Sequence, residues 1–441
     1  MDRQRNGKPN RPQGYHSQLL EAIRLYLPHR GLPLCTEDRR VRWTDRLLTI
    51  VSVLRVWWDA STARDAFAGA REVAASMYRT RRRPGRHLAG FLGALRKGTR
   101  RLLGQLVPAL RTASEAVAGP AWRWRQWVLM AADGSRIDCP RTVSNEEAFG
   151  CGGRKKTGPQ QFLTTVFHVA TGLIWDWRRG RADASERGHL REMLPGLPER
   201  TLLLADAGFT GYALLRSVLA QGHDFLIRVG GNVTLLQRLG YHVREYDGIV
   251  YLWPQAKRTS APLVLRLIRV TDGSRSRCLL TNVLQEARLS DAQAAELYCR
   301  RWVVEVCFRS LKQTMARRKM LSTSAENAKV ELDWAMVGLW LLGLMGAGEV
   351  RSADQGRISI AQVLRAVRVW MRRQTGRPSA GGLGGRFRKA VVDRYVRHGS
   401  KAARAWPHKK RPRPPGTPNV RMATELEILE AKELTSETKA A

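Results

Sequence analysis

Three carboxylates in this 441-residue chain stand where an oxygen-rich cation site could form. Asp133 follows the apolar run Trp127-Val-Leu-Met-Ala-Ala132 and precedes Gly134; Asp206 follows Thr201-Leu-Leu-Leu-Ala205 and opens the segment Asp206-Ala-Gly-Phe-Thr-Gly-Tyr212. Both runs read as buried strands, the second with the unbroken apolar pattern of a parallel strand covered on two faces. Each aspartate is therefore expected at the C-terminal end of a strand, where α/β sheets place ligands. Two carboxylates on neighbouring strand ends repel, and a divalent cation between them relieves the repulsion. Taken singly, each has a plainer reading: Asp-Gly is a common turn dipeptide, and an aspartate after a strand often opens a turn.

The third carboxylate, Glu305, lies on a helix expected to start at Ser290, where Ser290-x-x-Gln293 forms a capping box. Along that helix Tyr298, Arg301, Glu305 and Lys312 fall within one stripe of about 60° at 100° per residue. Leu297, Val304, Phe308 and Leu311 form the adjacent apolar stripe that should pack on a sheet. The polar stripe thus borders the core. Surface pairing of Arg301, Glu305 and Arg309 would contribute a few tenths of a kcal/mol per pair, roughly, but accounts for neither Tyr298 and Lys312 in line nor the two aspartates. Trp302 and Phe308 on the same helix are expected in the core.

Around these residues the chain changes texture several times. Residues 1–13 are polar and expected to be disordered. Residues 14–120 carry helical spacing, as in Leu19, Leu20, Ile23 and Leu27. Residues 121–350 read as one α/β domain, whose first part to 229 alternates apolar runs with helical segments, the pattern of a mixed sheet flanked by helices. Residues 230–284 are rich in Gly and β-formers and read as a β-rich insertion. Helical texture returns from Ser290 to about 350, where the apolar run Trp334–Gly348 is shorter than the 18 or so residues of a membrane span and reads as a buried helix. Residues 351–420 open with a helix and become Gly- and Pro-rich, and 421–441 form an acidic tail.

The composition narrows the partner. Lys and Arg number 76 against 38 Asp and Glu, a formal charge of +38. Such a surface attracts polyanions, nucleic acid foremost. Hydrophobic residues at 43% and 14 Trp exclude a wholly disordered basic tail protein. The excess is clustered: residues 79–101 hold nine bases (Arg79, Arg81, Arg82 and Arg83 among them) and no acid, and residues 361–420 hold 16 bases against Asp393. Both read as phosphate-binding surfaces. Arg154, Lys155 and Lys156, in a Gly-rich loop, serve equally as a DNA contact or a solvated loop. Six scattered Cys without a C-x-x-C pair indicate neither a zinc ribbon nor a redox motif. The first dozen residues have no apolar signal-peptide core, so a cytoplasmic, nucleoid-associated protein with no membrane partner is expected.

Tyr298-x2-Arg301-x3-Glu305-x6-Lys312 resembles the signature of the DDE transposases of prokaryotic insertion sequences, in the branch with Tyr-Arg-Glu-Lys spacing. Asp133-Gly134-Ser135, with Asn145, Phe149 and Gly150 downstream, resembles that family's first-aspartate region, and Asp206-x-Gly208-Phe209-x-Gly211-Tyr212 its second. The likeness runs over roughly 127–345. Ala207 departs from it, standing where the family often has a basic residue.

The resemblance implies an RNase H-like α/β fold with a β-rich insertion before the glutamate, helical N- and C-terminal regions, and a catalytic triad of Asp133, Asp206 and Glu305. It implies two Mg²⁺ ions, with Mn²⁺ able to substitute: Asp133 would hold both, Asp206 one and Glu305 the other. Arg301 and Lys312 would grip phosphates at the element end, Tyr298 would bond a phosphate or stack, and Trp253 in the insertion would stack on a base, against the plainer and favoured reading of a strand-end Trp in a small core. The implied activity is metal-dependent cleavage at terminal inverted repeats and strand transfer into target DNA. The N-terminal helical domain would read the repeats, and a homodimer would pair the two ends. Two alternatives stand beside it: an inactive DNA-binding relative that represses transposition, and an RNase H-like nuclease that hydrolyses without joining.

Overall fold

The computed structural model describes residues 14–28, 32, 41–78, 84–152, 158–242, 244–272, 275–350, 358–373, 375–376, 378, 380–392 and 416–440. Four helices come first: α1 (Tyr15–Arg24), α2 (Asp45–Trp57), α3 (Ala63–Met77) and the 31-residue α4 (Leu88–Ala118). Thr44 and Thr62 cap α2 and α3 by accepting the Leu47 and Asp65 N–H groups, satisfying donors a helix start leaves open.

There follow β1 (Val128–Asp138), α5 (Val143–Phe149), β2 (Gln160–His168), β3 (Ile174–Gly180), α6 (Glu186–Met193), β4 (Thr201–Ala205), α7 (Tyr212–Ala220) and β5 (Asp224–Val229). Next are β6 (Thr234–Gln237), β7 (Ile249–Leu252), β8 (Leu263–Asp272), β9 (Arg275–Thr281), α8 (Asp291–Arg300), α9 (Val303–Arg309), α10 (Ala325–Ala347), α11 (Ile360–Arg372), α12 (Gly382–Arg388), β10 (Asn419–Met422) and α13 (Glu425–Ala440).

The ten strands form one sheet in the order β10-β6-β7-β8-β9-β5-β4-β1-β2-β3. One half of it, β5-β4-β1-β2-β3, ends in the edge strand β3 and has β1 antiparallel to β2, β2 antiparallel to β3, and β4 parallel to both β1 and β5. This is the mixed sheet flanked by helices that the apolar runs predict. The β-rich segment after it is part of the same sheet, because β9 returns antiparallel against β5 and carries β8, β7 and β6 outward.

Side-chain alternation splits the sheet's two faces between two cores. Leu129 and Ala131 of β1, with Leu202 and Leu204 of β4, face α8–α10. Val128, Met130 and Ala132, with Leu203 and Ala205, face α6 and α7. Helix α10 has the length and apolar composition of a membrane span but is wholly buried inside the protein. The indoles of Trp57, Trp334 and Trp340 tie it to α2 and α4 by bonding Gly338 O, Thr99 Oγ1 and Ser114 Oγ at 3.0, 3.0 and 2.8 Å. The N-terminal helices therefore share a core with the sheet.

Two expectations need correction. Asp133 is not at the end of its strand: β1 runs on to Asp138, held by antiparallel pairing with β2. Nor is the helix after Ser290 continuous. α8 stops at Arg300, i→i+3 bonds join Val304 and Glu305 N–H to Arg301 and Trp302 O (3.1 Å each), and Ser310–Thr314 form a π turn. The first tightens the winding and the second loosens it, so a constant 100° phase does not hold from Tyr298 to Lys312.

Candidate active site at the parting of two strands

Pairing of β1 with β4 ends at Ala131 and Leu204. Two residues further on lie Asp133 and Asp206, each in phase with the residues that face α8 and α9. Register thus brings the aspartates together where β1 leaves β4 to continue along β2. Asp133 Oδ1 accepts the Gly134 N–H at 2.8 Å, and Asp206 Oδ1 accepts the Gly208 N–H at 2.8 Å, capping the short 3₁₀ turn Ala207–Phe209.

The break between α8 and α9 places Arg301 over this pair. Its guanidinium lies 3.6 Å from Asp133 Oδ2 and 3.6 Å from Glu305 Oε1, bridging the strand to α9. It also lies 5.7 Å from the ring centroid of buried Tyr298. Lys312 reaches the same face of β1 one repeat along, its Nζ donating to Ser135 Oγ at 2.7 Å. Arg301 and Lys312 therefore both reach β1 despite the altered winding.

Electrostatics confirm the crowding of negative charge. Burial pushes the Asp133 carboxyl up to about 6, and the charges of Asp206 and Glu305 push the same way; the Gly134 N–H and Arg301 oppose them. Burial also raises the Tyr298 hydroxyl, with Arg301 opposing and Asp206 reinforcing. Burial lowers the Lys312 ammonium, while Asp138 counteracts.

A fourth carboxylate, Glu186, was not singled out by the sequence. It is the first residue of α6, on the opposite side of the sheet. Burial pushes its pKa up to about 7, with Asp206 and Asp133 adding to the rise and Arg136 and Arg187 opposing it. Its only sequence signal was a Glu after the N-cap Ser185, which reads as an ordinary match to the helix dipole.

Among the described residues no three Asp, Glu, His or Cys side chains converge closely enough to hold an ion as they stand. The donor chemistry nevertheless suits a hard divalent cation. The donors are all carboxylate oxygens, and burial together with their mutual repulsion makes Asp133 and Glu186 ionise reluctantly.

Two aromatic expectations are corrected. Trp253 is only 4% exposed; its indole N–H bonds Ser260 O at 2.7 Å and the Arg258 guanidinium covers its ring, so it presents no stacking platform. Trp302 is 58% exposed, because the break at Arg301–Trp302 turns it away from the sheet, whereas Phe308 is buried as expected. Arg79, Arg81, Arg82, Arg83, Arg154, Lys155 and Lys156 lie outside the described residues, as do residues 1–13 and 393–415.

Residues 127–341 match the family described as Transposase DDE domain. The transposase InsG for insertion sequence element IS4 of Escherichia coli (strain K12) is 26% identical over 234 residues, covering 50% of this chain and 52% of that protein. This chain thus spans about half the length of that relative. A cryo-EM structure of a piggyBac transposase synaptic complex with hairpin DNA superposes with a TM-score of 0.40 at 11% identity, over 87% of this chain and 82% of that one. The family match spans β1, β4 and the α8–α9 segment that bring the acidic residues together, and over residues 127–341 this chain is similar to the DDE transposases.

Proposed function

We propose that this protein cleaves DNA at the ends of a transposable element and joins the freed 3′-OH to target DNA, with Asp133, Asp206 and Glu305 holding two divalent cations, Mg²⁺ by preference. One observation carries this reading. Within a segment that matches the transposase DDE domain, strand register juxtaposes Asp133 and Asp206, and Arg301 links Asp133 to Glu305. When bound, such ions activate the attacking oxygen and stabilise the leaving one.

The protein's own groups prepare the rest. Asp133 is held by the Gly134 N–H and Asp206 by the Gly208 N–H, so neither carboxylate has to be ordered when substrate arrives. Arg301 offers a planar fork suited to a phosphate once cations neutralise its present partners. Lys312 holds a second positive charge along the same strand. The basic N- and C-terminal segments supply sequence-independent attraction to duplex DNA, and two protomers pair the element's two ends.

The test is a strand-cleavage assay on terminal-repeat DNA taken from the flanks of the gene, with Mg²⁺ or Mn²⁺. Nicking by the wild type, lost in Glu305→Gln, is expected. A wild type that binds the ends without nicking them is instead the repressor-like relative. Pre-cut 3′-OH ends supplied with target plasmid separate a transposase from a nuclease, since only the transposase yields joined product.

A further inference from the structure

We propose that Glu186 is a fourth carboxylate of this cation-holding site, reaching it from the opposite face of the sheet through a gap that Gly134 and Gly208 keep open. The inference rests on the reading of Asp133, Asp206 and Glu305 given above.

The geometry is specific. A β-carbon on Gly134 would lie 2.9 Å from Glu186 Cδ, overlapping the carboxylate. A β-carbon on Gly208 would lie 3.2 Å from Glu186 Oε2 and 3.0 Å from Asp206 Oδ1. The Glu186 carboxylate therefore fills a cradle floored by the two glycines that adjoin the two aspartates. Glu186 Oε2 and Asp206 Oδ1 are no more than about 6 Å apart, since both lie close to one point above Gly208. One oxygen-ligated cation, with bonds of about 2.0–2.6 Å, spans that gap after a small side-chain rotation.

The cations nearest to Glu186 are committed elsewhere. Arg187 Nε donates to Gly208 O at 2.8 Å, and Arg136 Nε donates to Ala182 O at 3.4 Å with its guanidinium over the Phe162 ring. Among the described residues no hydrogen bond or ion pair engages the Glu186 carboxylate itself. A half-buried carboxylate packed beside two others, opposed only through space by Arg136 and Arg187, is suited to receive a cation.

The experiment is calorimetric titration of the full-length protein with Mn²⁺, without DNA, alongside nicking of terminal-repeat DNA. Glu186→Gln should weaken Mn²⁺ binding tenfold or more and slow nicking in parallel. Glu186→Asp keeps the charge but shortens the reach, and should weaken binding several-fold. Glu192→Gln, on the exposed side of the same helix, should bind as the wild type does. Wild-type Mn²⁺ affinity in both Glu186 variants, with affinity lost in Asp206→Asn, overturns this inference and leaves the transposase reading intact. A wild type that neither binds Mn²⁺ nor nicks brings down both.

Discussion

An ionised carboxylate kept in a crowded, half-buried site should cost folding stability, and Asp133→Asn tests this. The Asp133 carboxyl moves from 3.8 to about 6 on folding. Its pKa is raised, so the folded chain binds the proton more tightly than the unfolded chain does. The penalty is absent below the unfolded value and complete above the folded one; between roughly pH 4 and 6 stability falls as pH rises. At 1.36 kcal/mol per unit, two units give roughly 3 kcal/mol at pH 7.5.

Asparagine cannot ionise, yet its side-chain oxygen can still accept the Gly134 N–H now bonded at 2.8 Å. The variant loses only attraction to Arg301 at 3.6 Å. Asp133→Asn should therefore be more stable than the wild type at pH 7.5 in EDTA, by one to three kcal/mol or so, with the difference vanishing near pH 4. Urea unfolding followed by tryptophan fluorescence at the two pH values measures it. Excess Mn²⁺ at pH 7.5 should reverse the order, because only the wild type retains the full ligand set. Equal destabilisation of the variant at both pH values would refute the reasoning.

Glu331, a buried residue of α10, accepts the Leu321 and Ser322 N–H groups and the Ser322 hydroxyl, and faces the Arg317 guanidinium at 3.9 Å. Glu331→Ala strands these groups in the core and should cost about 3–5 kcal/mol in urea unfolding. Glu427 of α13 bonds Arg421 and Arg258, and the Arg421 hydrogen bond holds its pKa at about 2. Its pKa is depressed, so the clasp is complete above pH 4.5 and is lost as pH falls toward 2. Protection against hydrogen exchange across Asn419–Met422 and Thr234–Gln237, which pair in parallel, taken relative to the intrinsic rate at each pH, should fall at low pH, and at pH 7 in Glu427→Gln. Lys312→Ala removes the bond to Ser135 and should slow nicking more than it weakens end binding, which parallel cleavage and anisotropy measurements resolve.

Much of this site was legible because its signals are local. The apolar runs before Asp133 and Asp206 mark β1 and β4, and parallel register then brings the aspartates together without further information. The capping box at Ser290 is formed, with both Ser290–Gln293 bonds in place. What could not be read depends on contacts between distant segments. Glu186 joins the site only through Gly134 and Gly208, which precede it by 52 positions and follow it by 22. A face assignment from periodicity presumes a straight helix, so the break at Arg301 put Trp302 on the wrong side. Trp253 is covered by Arg258, whose own position is fixed by Glu427 and Glu430 on the distant α13. The parallel pairing of β10 with β6 likewise joins segments far apart in sequence and leaves no periodic trace.

If DNA is the substrate, as proposed, the chain's charge of +38 and its clustered carboxylates should act on it in opposite senses. Basic surfaces release counterions from the duplex and bind it whatever occupies the pocket. The carboxylates repel the phosphate that must enter, and the repulsion ends only when cations are bound. End binding and cutting should therefore separate cleanly. In EDTA, fluorescence anisotropy should show duplex affinity falling linearly on a log–log plot against salt, with Glu305→Gln binding as tightly as the wild type or more tightly, since one negative charge has gone. Mg²⁺ should leave that slope largely unchanged while switching nicking on in the wild type alone. A Glu305→Gln variant that binds ten times more weakly than the wild type would show that Glu305 orders the DNA-binding surface, and its assignment as a cation ligand would fall.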